Sequence, residues 1–168
     1  MNMEIKGKPS FAFCEFTLSP GNSLICESGA MTSMSAGLDI SARLNGGFFS
    51  ALGRKLLGGE SMFISEYLNN TGEDKHLTIS QCLPGDICLW ELINGPLCLQ
   101  PGAFIASTGG VKLGLGWAGL ASFVGREGLF KLKVGGEGVV TRLEGKGTYY
   151  MQTRSMGALA GWLNPKIV

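Results

Sequence analysis

The sequence predicts an all-β fold made from a duplicated unit, and three observations carry that prediction. Glu27-Ser28-Gly29-Ala30-Met31 returns seventy-three residues later as Gln100-Pro101-Gly102-Ala103-Phe104, and each copy is followed by an apolar, glycine-punctuated stretch. Self-similarity at such a period marks one supersecondary unit used more than once. Glycine occurs 27 times in 168 residues, more than twice the average usage of roughly 7%. Spread between short apolar runs, these glycines ask for many tight turns. Finally, Phe11 to Leu18 places Phe11, Phe13 and small residues at alternate positions, the period of a half-buried strand.

The elements follow in order. After the strand Phe11 to Leu18, Ser19-Pro20-Gly21-Asn22 reads as a turn, because proline fixes φ and glycine accepts positive φ. Ser23 to Glu27 is the returning strand and Ser28-Gly29 the next corner. The second unit repeats the grammar: Leu83-Pro84-Gly85-Asp86 is a turn, Ile87 to Leu92 a strand, Asn94-Gly95-Pro96 a turn and Leu97 to Gln100 a strand. Between these parts lie two segments too glycine-rich for good strands, Gly46 to Leu57 and Gly116 to Val124. Phe48, Leu52 and Leu56 in the first, and Trp117, Leu120 and Phe123 in the second, share one face of a short helix. Thr148 to Arg154 is a last strand, rich in aromatic and β-branched residues. Ser155 caps a C-terminal helix carrying Met156, Leu159, Trp162 and Leu163, ended by Asn164-Pro165.

A second shared element appears as Gly59-Glu60-Ser61-Met62-Phe63-Ile64, as Arg126-Glu127-Gly128-Leu129-Phe130 and as Gly136-Glu137-Gly138-Val139-Val140. The third version follows the second by only ten residues, whereas the first two are sixty-seven apart. The reading is a single domain over 1–168: repeat one at 9–70, repeat two at 77–134, and a partial third repeat with the C-terminal helix at 135–168. Either the protein lacks the first half of that third repeat or the sequence given omits it.

Composition narrows the function. Hydrophobic residues make up 45% and charged residues 16%, which argues for a packed core and against disorder. Fourteen basic and thirteen acidic residues leave a net charge of +1, so no global charge recruits nucleic acid or an acidic substrate. The uncharged, apolar stretch Leu113 to Val124 is well short of the about 20 residues a membrane-crossing helix needs. Met1 to Pro9 has no apolar run of signal-peptide length, and a cytoplasmic location is expected. Mean hydropathy of +0.21 points to a large core plus exposed apolar surface.

Five cysteines, Cys14, Cys26, Cys82, Cys88 and Cys98, show no CxxC spacing. Cys26, Cys88 and Cys98 sit inside apolar runs and are read as buried free thiols. Asn69-Asn70-Thr71 is read as a turn. The single histidine, His76, is placed in a polar hairpin loop from Thr71 to His76, and one imidazole cannot build a metal site that needs several converging nitrogens. Glu60, Glu127 and Glu137 recur at one position, where three carboxylates could bind a cation; a turn device accepting backbone N–H bonds outweighs that reading. Gly109-Gly110-Val111-Lys112 and Gly135-Gly136-Glu137-Gly138 lack the Gly-Lys-Ser/Thr ending of a phosphate loop. Trp90 and Trp117 do not supply an evident sugar-stacking cleft.

Several of these texts, taken in order, resemble one family. They are Glu27-Ser28-Gly29-Ala30-Met31, Gly58-Gly59-Glu60-Ser61-Met62-Phe63, Leu83-Pro84-Gly85-Asp86-Ile87, Gln100 through Ser107, Gly128-Leu129-Phe130 and Gln152-Thr153-Arg154-Ser155. Together they resemble the "altered inheritance of mitochondria" family of bacterial, archaeal and mitochondrial proteins over nearly the whole chain. The resemblance implies a duplicated or triplicated short double-stranded β-helix, a β-sandwich repeat similar to the tryptophan RNA-binding attenuation protein, arranged about a pseudo-threefold axis. It brings no catalytic residues, and it links mitochondrial members to inner-membrane organisation. The family usually continues past Leu129-Phe130-Lys131-Leu132 with much of a third repeat, so this chain is expected to have an open edge that needs a partner.

The expected function is therefore a non-enzymatic β-scaffold or interaction protein without cofactor or metal. It is expected to associate with itself, a protein partner or a membrane surface through Phe48, Phe49, Leu52, Trp117, Leu120 and Phe123. The alternative is RNA or nucleotide binding by analogy to the attenuation protein, with Lys131, Lys133 and Arg142 on the binding face.

Overall fold

Residues 1–44, 63–93, 95–100, 102–117 and 139–154 are described in the computed structural model of the chain, with Leu159 and Leu163 beyond them. Thirteen strands are formed by these residues. They are β1 (Asn2–Lys6), β2 (Phe13–Leu18), β3 (Ser23–Glu27), β4 (Met31–Met34), β5 (Asp39–Leu44), β6 (Phe63–Leu68), β7 (Lys75–Ser80), β8 (Ile87–Leu92), β9 (Leu97–Leu99), β10 (Phe104–Thr108), β11 (Val111–Trp117), β12 (Val139–Gly145) and β13 (Gly147–Gln152). Their order is β1-β2-β7-β4 in a first sheet, β5-β6-β3-β10-β13-β8 in a second and β11-β12-β9 in a third. The all-β expectation holds, with every ladder between these strands antiparallel.

The second sheet lies between the other two, and its side-chain pattern says why. β2 and β3 alternate between buried and half-buried residues, as strands with one covered face do. In β10 the first four residues are all buried, the mark of a strand covered on both faces. Adjacent residues of β13 divide accordingly. Tyr150 joins a core with Cys14, Phe16, Leu18, Leu24, Cys26, Leu77 and Ile79, whereas Tyr149 joins a core with Leu92, Leu99, Phe104, Val111 and Leu143. The first core fills the space between sheets one and two. The second fills the space between sheets two and three.

The duplication is written in the pairing. In the first half β2 pairs β7, β7 pairs β4, β5 pairs β6 and β6 pairs β3. Six strands later β8 pairs β13, β13 pairs β10, β11 pairs β12 and β12 pairs β9. Even the irregularity recurs, since the register shifts between Met31 and Ser33 in one half and between Phe104 and Ala106 in the other. The shared five-residue text makes the same corner twice. Gly29 and Gly102 have φ of 91° and 74°, a conformation that favours glycine. Ala30 N donates to Glu27 O and Ala103 N to Gln100 O; Ala30 O accepts from Ser80 N and Ala103 O from Gln152 N. The two halves are joined where β3 pairs with β10.

This pairing revises the expected division into repeats. β12, which follows Gly136-Glu137, holds in the second unit the place that β6, which follows Gly59-Glu60, holds in the first. Residues 139–152 therefore complete the second unit and do not open a third. β1 adds an edge strand beside β2. Two smaller expectations also change: His76 lies on β7, paired with Thr17, and not in a loop. Gly116 and Trp117 close strand β11 instead of opening a helix. The inter-repeat helices fall otherwise on residues outside those described. The C-terminal helix falls on 155–168, where only Leu159 and Leu163 are described, both with helical backbone.

Candidate interaction surface

Because the two units share one pairing scheme, each position in the first has a counterpart in the second, and comparing their burial locates the exposed working surface. On β2, Phe16 pairs with Leu77; on β8, Trp90 pairs with Tyr149. Phe16 is 1% exposed and Trp90 is 55% exposed. The same contrast runs along the neighbouring pairs. Cys14 and Ile79 are fully buried while their counterparts Cys88 and Met151 are half-buried, and Leu24 is buried while Leu97 is half-buried. The first core is thus closed at a side where the second is open.

The closing element can be named. Ile87, Ile105, Ala106 and Tyr150, all from the second unit, pack into the first core. Tyr150 stands edge-on to Phe16 with ring centroids 5.1 Å apart and planes at 87°, a favoured aromatic arrangement. Among the described residues nothing equivalent covers Trp90. Leu89 and Ile93 flank it, 42% and 59% exposed. β8 ends the second sheet, with no further strand on its outer side among the described residues. Its counterpart β2 has that side covered by β1. Among the described residues β8 thus presents an apolar, unpaired edge beside an open core.

A second apolar feature lies on the outer face of the first sheet. Phe11, Phe13, Thr32, Thr78, Ser80 and Leu83 line a groove of about 460 Å³, and Phe11 is 72% exposed. By register, Phe13, Thr32 and Thr78 are the counterparts of Ile87, Ile105 and Tyr150. The groove therefore occupies the face that, in the second unit, packs against the first.

The residues singled out from sequence stand mostly elsewhere. Phe48, Phe49, Leu52, Leu120 and Phe123 lie outside the described residues, and Trp117 is described only as the backbone end of β11. Glu60, Glu127, Glu137, Lys131 and Lys133 lie outside them as well. Arg142, on β12, forms an ion pair with Glu144 at 2.6 Å. His76 is exposed, its Nδ1 3.4 Å from Thr17 Oγ1. Among the described residues no group of three His, Cys, Asp or Glu side chains converges on a metal position. The sequence reading did not single out Trp90 as a surface residue. The signal that finds it is its alignment with Phe16, which needs the strand register.

The thiols divide along the same line. Cys26 is buried as expected, but Cys98 is exposed and Cys88 only half-buried, because β9 and β8 border the open side. Burial pushes the Cys14 thiol up to about 12 and the Tyr150 phenol up to about 12. Cys26 is raised too, by burial first and by Cys14 second. In the folded chain these acids stay protonated where their unfolded forms, near 9.0 for thiols and 10.0 for the phenol, ionise. Stability is then full below pH about 9 and falls as pH rises toward 12, by up to about 1.4 kcal/mol per pH unit for each group. Urea midpoints measured from pH 7.5 to 11 should show this decline. A flat profile would contradict the buried placement of these groups.

The profile of the mitochondrial biogenesis AIM24 family matches residues 3–153. The chain belongs to that family. An uncharacterised protein of Streptococcus pyogenes serotype M6 is 30% identical over 148 residues, which cover 83% of this chain and 59% of that protein. This AIM24 chain thus spans about three fifths of that relative's length. A crystal structure of another Streptococcus pyogenes protein superposes with a TM-score of 0.59 at 22% identity, covering 99% of each chain. That likeness concerns the fold. No described helix of this AIM24 protein is long and apolar enough to cross a membrane, which leaves β-barrels unaddressed.

Proposed function

We propose that this AIM24-family chain is a non-catalytic β-scaffold that works by self-association, in the cytoplasm, with its repeats following the attenuation-protein-like β-sandwich plan. The observation that supports the reading is the exposure of Trp90 at the position where the first unit buries Phe16. A tryptophan more than half exposed, with Leu89 and Ile93 near it at the outer edge of the second sheet, gains by burial against another protein surface. The nucleic-acid alternative draws no comparable support, since Arg142 is tied to Glu144.

Sedimentation velocity tests the proposal. The unaltered protein is expected to run as a concentration-dependent oligomer. Trp90→Glu is expected to run as a monomer with an unchanged circular dichroism spectrum, because the side chain is exposed and its loss leaves the second core in place. Equal assembly by both proteins would overturn the reading.

A further inference from the structure

Resting on that self-association reading, we infer that copies of this chain join head to tail, each extending the next by repeating the internal β3·β10 junction. That junction pairs Cys26 with Ala106, Ile25 with Ser107 and Leu24 with Thr108. Among the described residues its two sides recur, one in each unit, without each other. The counterpart of β10 is β4, an outer strand of the first sheet, and the counterpart of β3 is β9, an outer strand of the third. These two edges, unpaired among the described residues, are complementary by construction, since one chain carries a copy of each half of a contact it already makes internally.

The local chemistry agrees. Ser35 N donates to His76 O, so by the alternation of an antiparallel ladder Met34 turns its own N–H and C=O away from β7, toward the open side. Transposing the internal register by the repeat offset sets Ser33, Met34 and Ser35 of one copy opposite Leu99, Cys98 and Leu97 of the next. The same placement carries Trp90 of the second copy toward the groove of Phe11, Phe13 and Thr78, as Phe16 meets Tyr150 inside one chain. Thr32 and Thr78 stand there in place of Ile105 and Tyr150, with Phe11 added. The contact between copies is therefore less apolar than the internal one and is expected to be reversible. A head-to-tail contact of this kind closes into a ring or continues as a filament.

Cys98 is exposed and free, which makes the register directly testable. In a hydrogen-bonded antiparallel pair the Cα atoms are about 5.5 Å apart, within the range a disulfide bridges. In a Cys82→Ser background, Met34→Cys under mild oxidation should yield a ladder of disulfide-linked species beyond the dimer, because every chain then carries both halves of the link. Ser41→Cys in the same background, on the exposed side of β5, should give no ladder. Dimers alone, formed equally without Met34→Cys, would overturn the proposal in favour of a symmetric contact through Cys98. Oligomers that sediment normally, and are lost in Trp90→Glu, yet never link Met34→Cys to Cys98 would overturn the head-to-tail register and leave the scaffold reading standing. A chain that is monomeric at every concentration would overturn both. Should Met34→Cys fail to fold, hydrogen exchange on the unaltered protein decides: the Met34 and Cys98 amides gain protection as concentration rises if the proposal holds, and exchange unchanged if it does not.

Discussion

Replacing Tyr150 by alanine is expected to destabilise the chain by about 3–5 kcal/mol, the range for removing a buried aromatic side chain. Tyr150 is 2% exposed and packs edge-on to Phe16, so the surrounding atoms cannot collapse into its space without moving two sheets. The effect reaches beyond one strand. Tyr150 belongs to the second unit, but it sits in the core of the first, with Ile87, Ile105 and Ala106. Neither unit owns that core alone. Urea unfolding followed by circular dichroism and by tryptophan fluorescence should therefore give coincident single transitions in the unaltered protein. Tyr150→Ala should shift both midpoints together to lower urea. Separate transitions, or a loss below about 1 kcal/mol, would show that the units fold independently and that the shared core is not what binds them. Trp90→Ala provides the comparison within the same molecule. It removes a larger side chain, from the position that corresponds to Phe16, the ring Tyr150 packs against, yet the loss should stay within about 0.5 kcal/mol, as for surface substitutions.

The contrast between Phe16 and Trp90 also shows what a sequence can disclose. β3 and β8 have the bounds the sequence predicts, because Ser23–Glu27 and Ile87–Leu92 are apolar runs closed on both sides by Pro, Gly or Asn turns. The duplicated five-residue text correctly marks a repeated corner, since a positive-φ glycine between two backbone hydrogen bonds constrains local residue choice strongly. The number of units was harder to read. Gly136-Glu137-Gly138 resembles the start of something new, and only the pairing of β12 with β9 and β11 shows that it completes the second unit. The exposed apolar edge was hidden for a related reason. Trp90 looks the same in sequence whether its strand is covered on one face, both or neither. Its exposure depends on which sheets lie beside β8, and that is fixed by pairings between residues far apart in the chain.

The second large effect is expected at Asn69, which is fully buried and polar. Its side-chain nitrogen donates to Leu18 O at 2.6 Å and Glu73 O at 2.9 Å, and its oxygen accepts from Thr71 N at 3.0 Å and Thr71 Oγ1 at 2.7 Å. Its backbone N donates to Asn22 O, and its carbonyl accepts from Gly21 N. One residue thereby ties the β2–β3 turn to the β6–β7 loop. At the equivalent position the second unit has Gly145, with a φ of 102° and no room for a Cβ against the Gly110 carbonyl oxygen. Asn69→Ala would take from the buried Leu18 carbonyl its donor and from Thr71 N its acceptor, while Glu73 O keeps the Thr71 hydroxyl; each group left unmade costs about 1–3 kcal/mol. Relaxation and water entry recover part of this, so a loss of about 3 kcal/mol is expected in urea unfolding. Asn69→Asp should be at least as damaging at neutral pH, because a carboxylate cannot donate to Leu18 O or Glu73 O and would be a buried charge facing two acceptors. Asn70 serves as the control, since its amide bonds Asp39 at 2.6 Å in an exposed setting. Asn70→Ala should change stability by no more than about 0.5 kcal/mol. If Asn69→Ala matches Asn70→Ala, the buried network is not what holds the two turns together, and the loop must be fixed by its backbone bonds alone.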